Sequence, residues 1–91
     1  MTQQEKNPIV TVSGNDKFTA AAGQTVLADD HSEVVAEAGS RCDGWEEAVI
    51  RAHAGSNVCA WSAGVTIHAE PGARVSNRGG GTVIPVETAG Q

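Results

Sequence analysis

The chain has 91 residues and a formal net charge of −5, which fits one small acidic domain. Hydrophobic residues make up 40% of the chain but aromatic residues only 3%, so a core built on large side chains is excluded. No apolar run approaches the length of a membrane span, and the six Lys and Arg residues are too few for a general nucleic-acid-binding protein.

Residues 1–7 are polar and lack the apolar stretch of a secretory signal, so we expect a flexible N-terminal segment and a cytoplasmic location. One folded domain over residues 8–86 is predicted to follow. Residues 87–91 are predicted to form a flexible C-terminal segment.

An apolar residue recurs about every eight positions along the predicted domain. The series is Val10, Phe18, Val26, Val34, Cys42, Ile50, Val58, Ile67, Val75 and Val83. Two positions after most of them stands a small residue, at Ala20, Ala28, Ala36, Gly44, Ala52, Ala60 and Ala69. Because residues i and i+2 of a strand share a face, each octad predicts a short strand with one medium and one small inward side chain.

A longer period is superimposed on the octads. The dipeptides Ala22-Gly23, Ala38-Gly39, Ala54-Gly55, Pro71-Gly72 and Ala89-Gly90 follow one another at spacings of 16, 16, 17 and 18 residues. Glycine provides the positive φ that tight turns need, so two octads make one unit. The sequence therefore predicts an all-β, single-chain β-solenoid of about five 16-residue coils with two short strands per coil. A small β-sandwich and an intertwined trimeric β-helix are the alternatives.

The octads resemble two known kinds of repeat. One is the single-chain β-helix of bactofilin-type filament proteins. The other is the octapeptide Val-x-Gly repeat of phage tail-spike β-helices, in which three chains wind together. Ala usually stands here where the spike repeat has Gly, and only Gly44 matches. The resemblance covers about residues 10–86 and implies a solenoid, but it carries no functional residue to this chain.

Stacked coils would place equivalent outward positions in ladders. One ladder contains Asp29, Trp45, Trp61 and Arg78, so the two Trp side chains are predicted to be neighbours. Trp is enriched at interface hot spots, which favours a contact site for a partner. The alternative is that both rings cover a thin core of Val and Ala.

Acidic residues are concentrated in one part of the chain. Residues 29–47 hold seven of the eleven Asp and Glu residues and one of the six Lys and Arg residues. Such a band would attract a partner with a basic surface, or it would only keep the domain soluble. The predicted partner-binding residues are Trp45, Trp61, Asp29, Asp30, Glu46, Glu47 and Arg78.

A second ladder contains Glu37, His53 and Glu70. We interpret it as a surface charge ladder, because a zinc site needs three or four ligands at characteristic spacings. A metal or acid–base site formed by these three residues is the alternative. No metal, cofactor or catalytic motif is predicted, so the chain is not expected to be an enzyme.

The two cysteines are predicted to be free thiols. Cys42 takes an inward position and should be buried, whereas Cys59 follows an inward residue and should be exposed. Their Cβ atoms would then point in opposite directions, which disulfide geometry does not allow.

The two ends of a solenoid need caps, because they expose unpaired strand edges. Phe18 is expected to plug the first coil, and Pro85 to act as a stop at the last. The triplet Gly79-Gly80-Gly81 is interpreted as a flexible or widened turn.

These features predict a non-enzymatic, acidic protein-binding module. A narrower hypothesis is an inhibitor of a nucleic-acid-handling protein, of the kind found in phage–host conflicts, that resembles DNA in charge and shape. Acidic solenoids of the pentapeptide-repeat type act in this way, and the analogy is one of fold alone. The alternative is a structural subunit of a filament or phage-type spike that self-associates through its coil edges.

Overall fold

The computed structural model describes residues 9–86, which form ten four-residue strands. The strands are β1 Ile9–Val12, β2 Lys17–Ala20, β3 Thr25–Ala28, β4 Glu33–Ala36, β5 Arg41–Gly44, β6 Val49–Ala52, β7 Asn57–Ala60, β8 Thr66–Ala69, β9 Arg74–Asn77 and β10 Thr82–Pro85. The segments 1–7 and 87–91, predicted to be flexible, lie outside the described residues. Within residues 9–86 there is no helix of the length and apolarity that crossing a membrane requires.

The strands form two parallel sheets. The first sheet has the order β1-β3-β5-β7-β9 and the second has the order β10-β8-β6-β4-β2. Each strand pairs with the strand one coil further on, as in Val10 with Val26 and Phe18 with Val34. The chain is therefore a β-solenoid of about five coils, which confirms the fold that the octads and the 16-residue period predict.

One coil is longer than the others by one residue. Val49 pairs with Thr66 and Asn57 with Arg74, a step of 17 positions instead of 16. The extra residue lies in the turn 61–65, which connects β7 to β8 and begins at Trp61. This turn accounts for the single nine-residue step in the apolar series.

The core lies between the two sheets and is built from the inward ladders. Val26, Val34, Ile50 and Ile67 are fully or almost fully buried. A Cβ added at Gly44 would come within 2.9 Å of Ile50 Cδ1 and 3.1 Å of Val65 Cγ1. Small residues are thus needed opposite the larger ones, because the sheets are closely spaced.

The corner that leads from the second sheet to the first has regular turns. Gly39 and Gly55 have φ angles of 83° and 86°, and each donates its N–H to the carbonyl of the equivalent glycine on the next coil. Buried Ser40 and Ser56 donate their hydroxyls to the carbonyls three residues earlier, at 2.6 and 2.7 Å. These bonds satisfy polar groups that the turns bury.

The opposite corner leads from the first sheet to the second and is less regular. Asp30 and Glu46 take positive φ angles of 55° and 56° there. A Cβ on Gly79 would overlap the backbone carbonyl of Trp61, so no other residue fits against the turn of the preceding coil. A Cβ on Gly81 would likewise come within 2.6 Å of the Val65 carbonyl oxygen, whereas Gly80 has open space around it and a φ of 82°. Gly79 and Gly81 are therefore required for close stacking of this corner, which is a different reason from the flexibility predicted from the sequence.

The two ends of the solenoid differ in exposure. At the first coil, Phe18 is half-buried and packs against the core, as expected of a plug. At the last coil, Val83 and Ile84 are 38% and 41% exposed. Pro85 ends β10, an edge strand, where a missing N–H donor interrupts no ladder within the sheet.

Candidate functional site

A column of two Trp rings and one guanidinium group lies along the first-to-second-sheet corner. Each of the three residues donates its backbone N–H to a carbonyl oxygen of the preceding coil, at 2.8 to 2.9 Å. The pairs are Trp45 with Ala28, Trp61 with Gly44, and Arg78 with Ala60. This repeated bonding fixes the three residues one above another.

The ring geometry confirms that the two Trp residues are neighbours. Their centroids are 6.3 Å apart with an interplanar angle of 11°. The Arg78 guanidinium lies 5.9 Å from the Trp61 ring centroid, on the side of the last coil. Trp61 is 42% exposed and Trp45 is half-buried, so the column presents part of its aromatic surface to solvent.

Four carboxylates stand beside this column. Asp29 and Asp30 lie in the turn 29–32, and Glu46 and Glu47 lie in the equivalent turn of the next coil, 45–48. The structure therefore brings all seven predicted partner-binding residues to one corner. We call this set, Asp29, Asp30, Trp45, Glu46, Glu47, Trp61 and Arg78, the Trp corner.

Three of these carboxylates already have local roles. Asp30 Oδ2 accepts a hydrogen bond from the Gly14 N–H at 3.0 Å, and Asp29 Oδ1 accepts one from the Asp30 N–H at 2.8 Å. Glu47 forms an exposed ion pair with His31. Glu46 has no hydrogen bond or ion pair from its side chain among the described residues. The turns thus hold a concentrated negative charge in a defined shape.

The acidic band of the sequence does not form one surface. Glu33 begins β4 on the second sheet, Glu37 lies at the opposite corner, and Asp43 lies on the outer face of the first sheet. Only the four carboxylates of the Trp corner lie together, because a coil distributes consecutive residues around its whole circumference.

A groove of about 310 Å³ crosses the outer face of the first sheet beside the Trp corner. Its lining includes Arg41, Asp43, Cys59, Trp61, Arg74 and Arg78. We call it the arginine groove. The groove was not predicted from the sequence, although Arg41 and Arg74 take the same outward position two coils apart and therefore belong to one ladder.

The floor of the arginine groove is formed by Asp43 and Cys59, which pair across β5 and β7. Each is only 7% exposed, so the prediction that Cys59 is exposed is wrong. Its side chain does point outward, but the long side chains that line the groove shield it from water. Burial, and then the nearby Asp43 carboxylate, raise the pKa of the Cys59 thiol.

The inward cysteine behaves as expected. Cys42 is buried in the core, and burial together with Asp43 raises its pKa to about 12. Both cysteines are free thiols, which confirms that prediction.

The second ladder forms only in part. His53 Nδ1 lies 2.8 Å from Glu70 Oε2, and Glu70 Oε1 accepts the Ala54 N–H at 3.1 Å. The hydrogen bond from His53, and then the one from the backbone, lower the pKa of Glu70. Glu37 does not join the pair. Among residues 9–86, no three or more His, Cys, Asp or Glu side chains are grouped so as to hold a metal ion.

Comparison of the chain with protein-family models, curated proteins and solved structures finds no match. A function for this chain is therefore inferred from the geometry of the Trp corner and the arginine groove.

Proposed function

We propose that this chain is a non-enzymatic binding module that engages another protein through the Trp corner. The observation that carries the proposal is the stacked Trp45–Trp61 pair with Trp61 42% exposed. The chain has only three aromatic residues, and two of them stand together at the surface. Trp is one of the residue types enriched at the few positions that carry most of the binding energy of protein interfaces.

The form of the column favours a protein over a flat ligand. Trp45 stacks beside Trp61 with ring centroids 6.3 Å apart, and the Arg78 guanidinium lies over the Trp61 ring, 5.9 Å from its centroid. A sugar or base that stacked on Trp61 would compete with these two groups for the ring faces, whereas a protein surface can pack against the part of Trp61 that is exposed. The two rings and the guanidinium also restrain one another by stacking, so less side-chain entropy is lost on binding.

The charge of the corner favours a basic partner surface. Four carboxylates in two adjacent turns concentrate negative charge beside the Trp column. Lys or Arg residues of a partner would be attracted to them over about one Debye length, roughly 8 Å at physiological salt.

More narrowly, we propose that the partner is a nucleic-acid-handling protein and that the module inhibits it in a phage–host conflict. What supports it is that proteins of this class expose basic surfaces for phosphates. The two free thiols support a reducing, cytoplasmic compartment for this activity.

The experiment is a capture of partners from the native source on tagged protein, with two variants of matched exposure. Trp61→Ala removes a side chain of the Trp corner, and Ile84→Ala removes an equally exposed apolar side chain from the last strand. We expect one dominant partner that Trp61→Ala loses and Ile84→Ala keeps. Loss in both variants, or in neither, would contradict the proposal. Circular dichroism of each variant controls for folding.

A second candidate is a structural subunit that self-associates through coil edges. It is favoured by the last coil, where Val83 and Ile84 are exposed beside the unpaired edges of β9 and β10. Sedimentation velocity over a range of concentrations tests it. Assembly that Ile84→Ala weakens and Trp61→Ala leaves intact would favour this candidate, and a monomer at every concentration would exclude it.

A further inference from the structure

The arginine groove has the opposite charge to the rest of the protein. The chain carries a net charge of −5, yet the groove is lined by Arg41, Arg74 and Arg78 with Asp43 as its single carboxylate. Three arginines against one carboxylate leave this concavity with an excess of positive charge, which an anion would offset. The groove thus has the electrostatic character of an anion-binding site.

The guanidinium groups are available to a ligand. Arg41 Nε lies 3.4 Å from Asp43 Oδ2, a long contact that leaves its other N–H groups free of the carboxylate. Arg74 has no ion pair among the described residues. Arg78 lies over the Trp61 ring, which positions the guanidinium but uses none of its hydrogen bonds.

Asp43 indicates which kind of anion fits. Its Oδ1 atom is buried and has no hydrogen-bond partner among the described residues. An unsatisfied buried carboxylate oxygen is costly, so a ligand that supplies an N–H or O–H donor would be favoured. A phosphate dianion would place two negative charges beside Asp43, whereas a single peptide carboxylate places one. A peptide segment carries backbone N–H donors next to its carboxylates and meets both needs.

We propose that the arginine groove is a binding subsite for an acidic segment of the partner protein. A carboxylate of that segment binds Arg74 and Arg78, and one of its backbone N–H groups donates to Asp43. This inference rests on the proposed function, since it describes the partner. The partner would then present basic residues to the carboxylates of the Trp corner and an acidic segment to the groove, which fixes its orientation.

The test uses the isolated protein and a defined probe. The probe is the N-acetylated, C-amidated peptide Gly-Asp-Glu-Gly, with Gly-Asn-Gln-Gly as its neutral control and inorganic phosphate as a second anion. Titrations are followed by the indole N–H resonances of the two Trp residues in nuclear magnetic resonance spectra. We expect a saturable shift of the Trp61 resonance with the acidic peptide, none with the neutral peptide, and weaker binding of phosphate.

Two variants locate the binding. Arg74→Gln should lower the affinity for the acidic peptide about tenfold, which is the effect of losing one charge-assisted hydrogen bond. Arg51→Gln makes the same change of charge on the second sheet, away from the groove, and should alter affinity less than about twofold. Both positions are exposed, so both variants should fold.

Three results would overturn the inference. They are no saturable shift at about 10 mM acidic peptide, equal weakening by both variants, and phosphate binding as tight as peptide binding. Any of these could occur while Trp61→Ala still loses a captured partner, so failure of the subsite is distinguishable from failure of the proposed function. Conversely, peptide binding without a captured partner would support the arginine groove as an anion-binding site and would contradict the proposal that the chain is a protein-binding module.

Discussion

Replacement of Gly79 by Ala tests how the last coil is fastened to the Trp corner. Gly79 does not have a positive φ, so its backbone would accept Ala. The added Cβ, however, would overlap the Trp61 carbonyl and the adjoining Ser62 nitrogen. Backbone atoms of a stacked turn cannot rotate away as a side chain can. The last turn must therefore separate from the coil before it.

The cost of the substitution comes from the contacts that this separation breaks. The N–H groups of Arg78 and Gly79 both donate to the Ala60 carbonyl, at 2.9 and 3.0 Å, and Arg78 also covers the Trp61 ring. Two net hydrogen bonds and one exposed cation–π contact together contribute about 3 kcal/mol. We expect Gly79→Ala to lower the free energy of unfolding of the last coil by that amount.

Gly80→Ala is the matched control. No atom lies within 4 Å of a Cβ at Gly80, but its φ of 82° is left-handed. The cost there is conformational strain, about 1 to 2 kcal/mol. Neighbouring glycines are thus required for different physical reasons, close approach at one and positive φ at the other.

Urea denaturation followed by Trp fluorescence measures the stability of both variants. Hydrogen exchange of the Arg78 amide gives a local measurement, because a terminal coil can open without unfolding the rest of a repeat protein. Gly79→Ala should have the lower stability and the faster exchange. A Gly79→Ala variant as stable as Gly80→Ala would refute the stacking of this corner.

Two further predictions concern titratable groups. The pKa of Glu70 is lowered from its ordinary value of 4.5 by the hydrogen bond from His53. The stabilisation from this shift is complete above that ordinary value and is lost as pH falls through the lowered pKa. Thermal midpoints of the wild type should therefore fall relative to Glu70→Gln as the pH decreases below 4.5, and parallel curves would contradict this. For the thiols, burial raises the pKa of both Cys42 and Cys59, which reduces the reactive thiolate. Iodoacetamide at neutral pH should modify Cys59 more slowly than it modifies a cysteine peptide, and should modify Cys42 only after unfolding. Mass spectrometry of digests measures both rates, and peptide-like reactivity of Cys59 would show that the groove does not shield it.

Side-chain periodicity is the part of this structure that the sequence reveals directly. The eight-residue series identifies Val26, Ile50 and Ile67 as inward residues, and the structure buries all three. The 16-residue glycine period identifies the coil, and the coil identifies Trp45 and Trp61 as neighbours. This works because parallel, in-register stacking at a nearly constant period brings equivalent positions together whatever the details of packing.

The outer surface is where such reasoning fails. The alternation of the strand correctly turns Cys59 outward, but it does not reveal that Cys59 and Asp43 are buried. Their burial depends on how Arg41, Arg74 and other long side chains lie across the sheet. That arrangement is set by neighbours on other coils and not by the residue's own place in the repeat.

The sequence alone therefore determined the solenoid, its inward ladders and the adjacency of the two Trp residues, because each follows from a repeat of local geometry. The tertiary structure decided three other features. It separated the acidic band onto different faces, assembled the arginine groove, and brought Gly79 against the backbone of Trp61. Each of these depends on contacts between coils at atomic distances, where the position of a single carbonyl or guanidinium decides what fits.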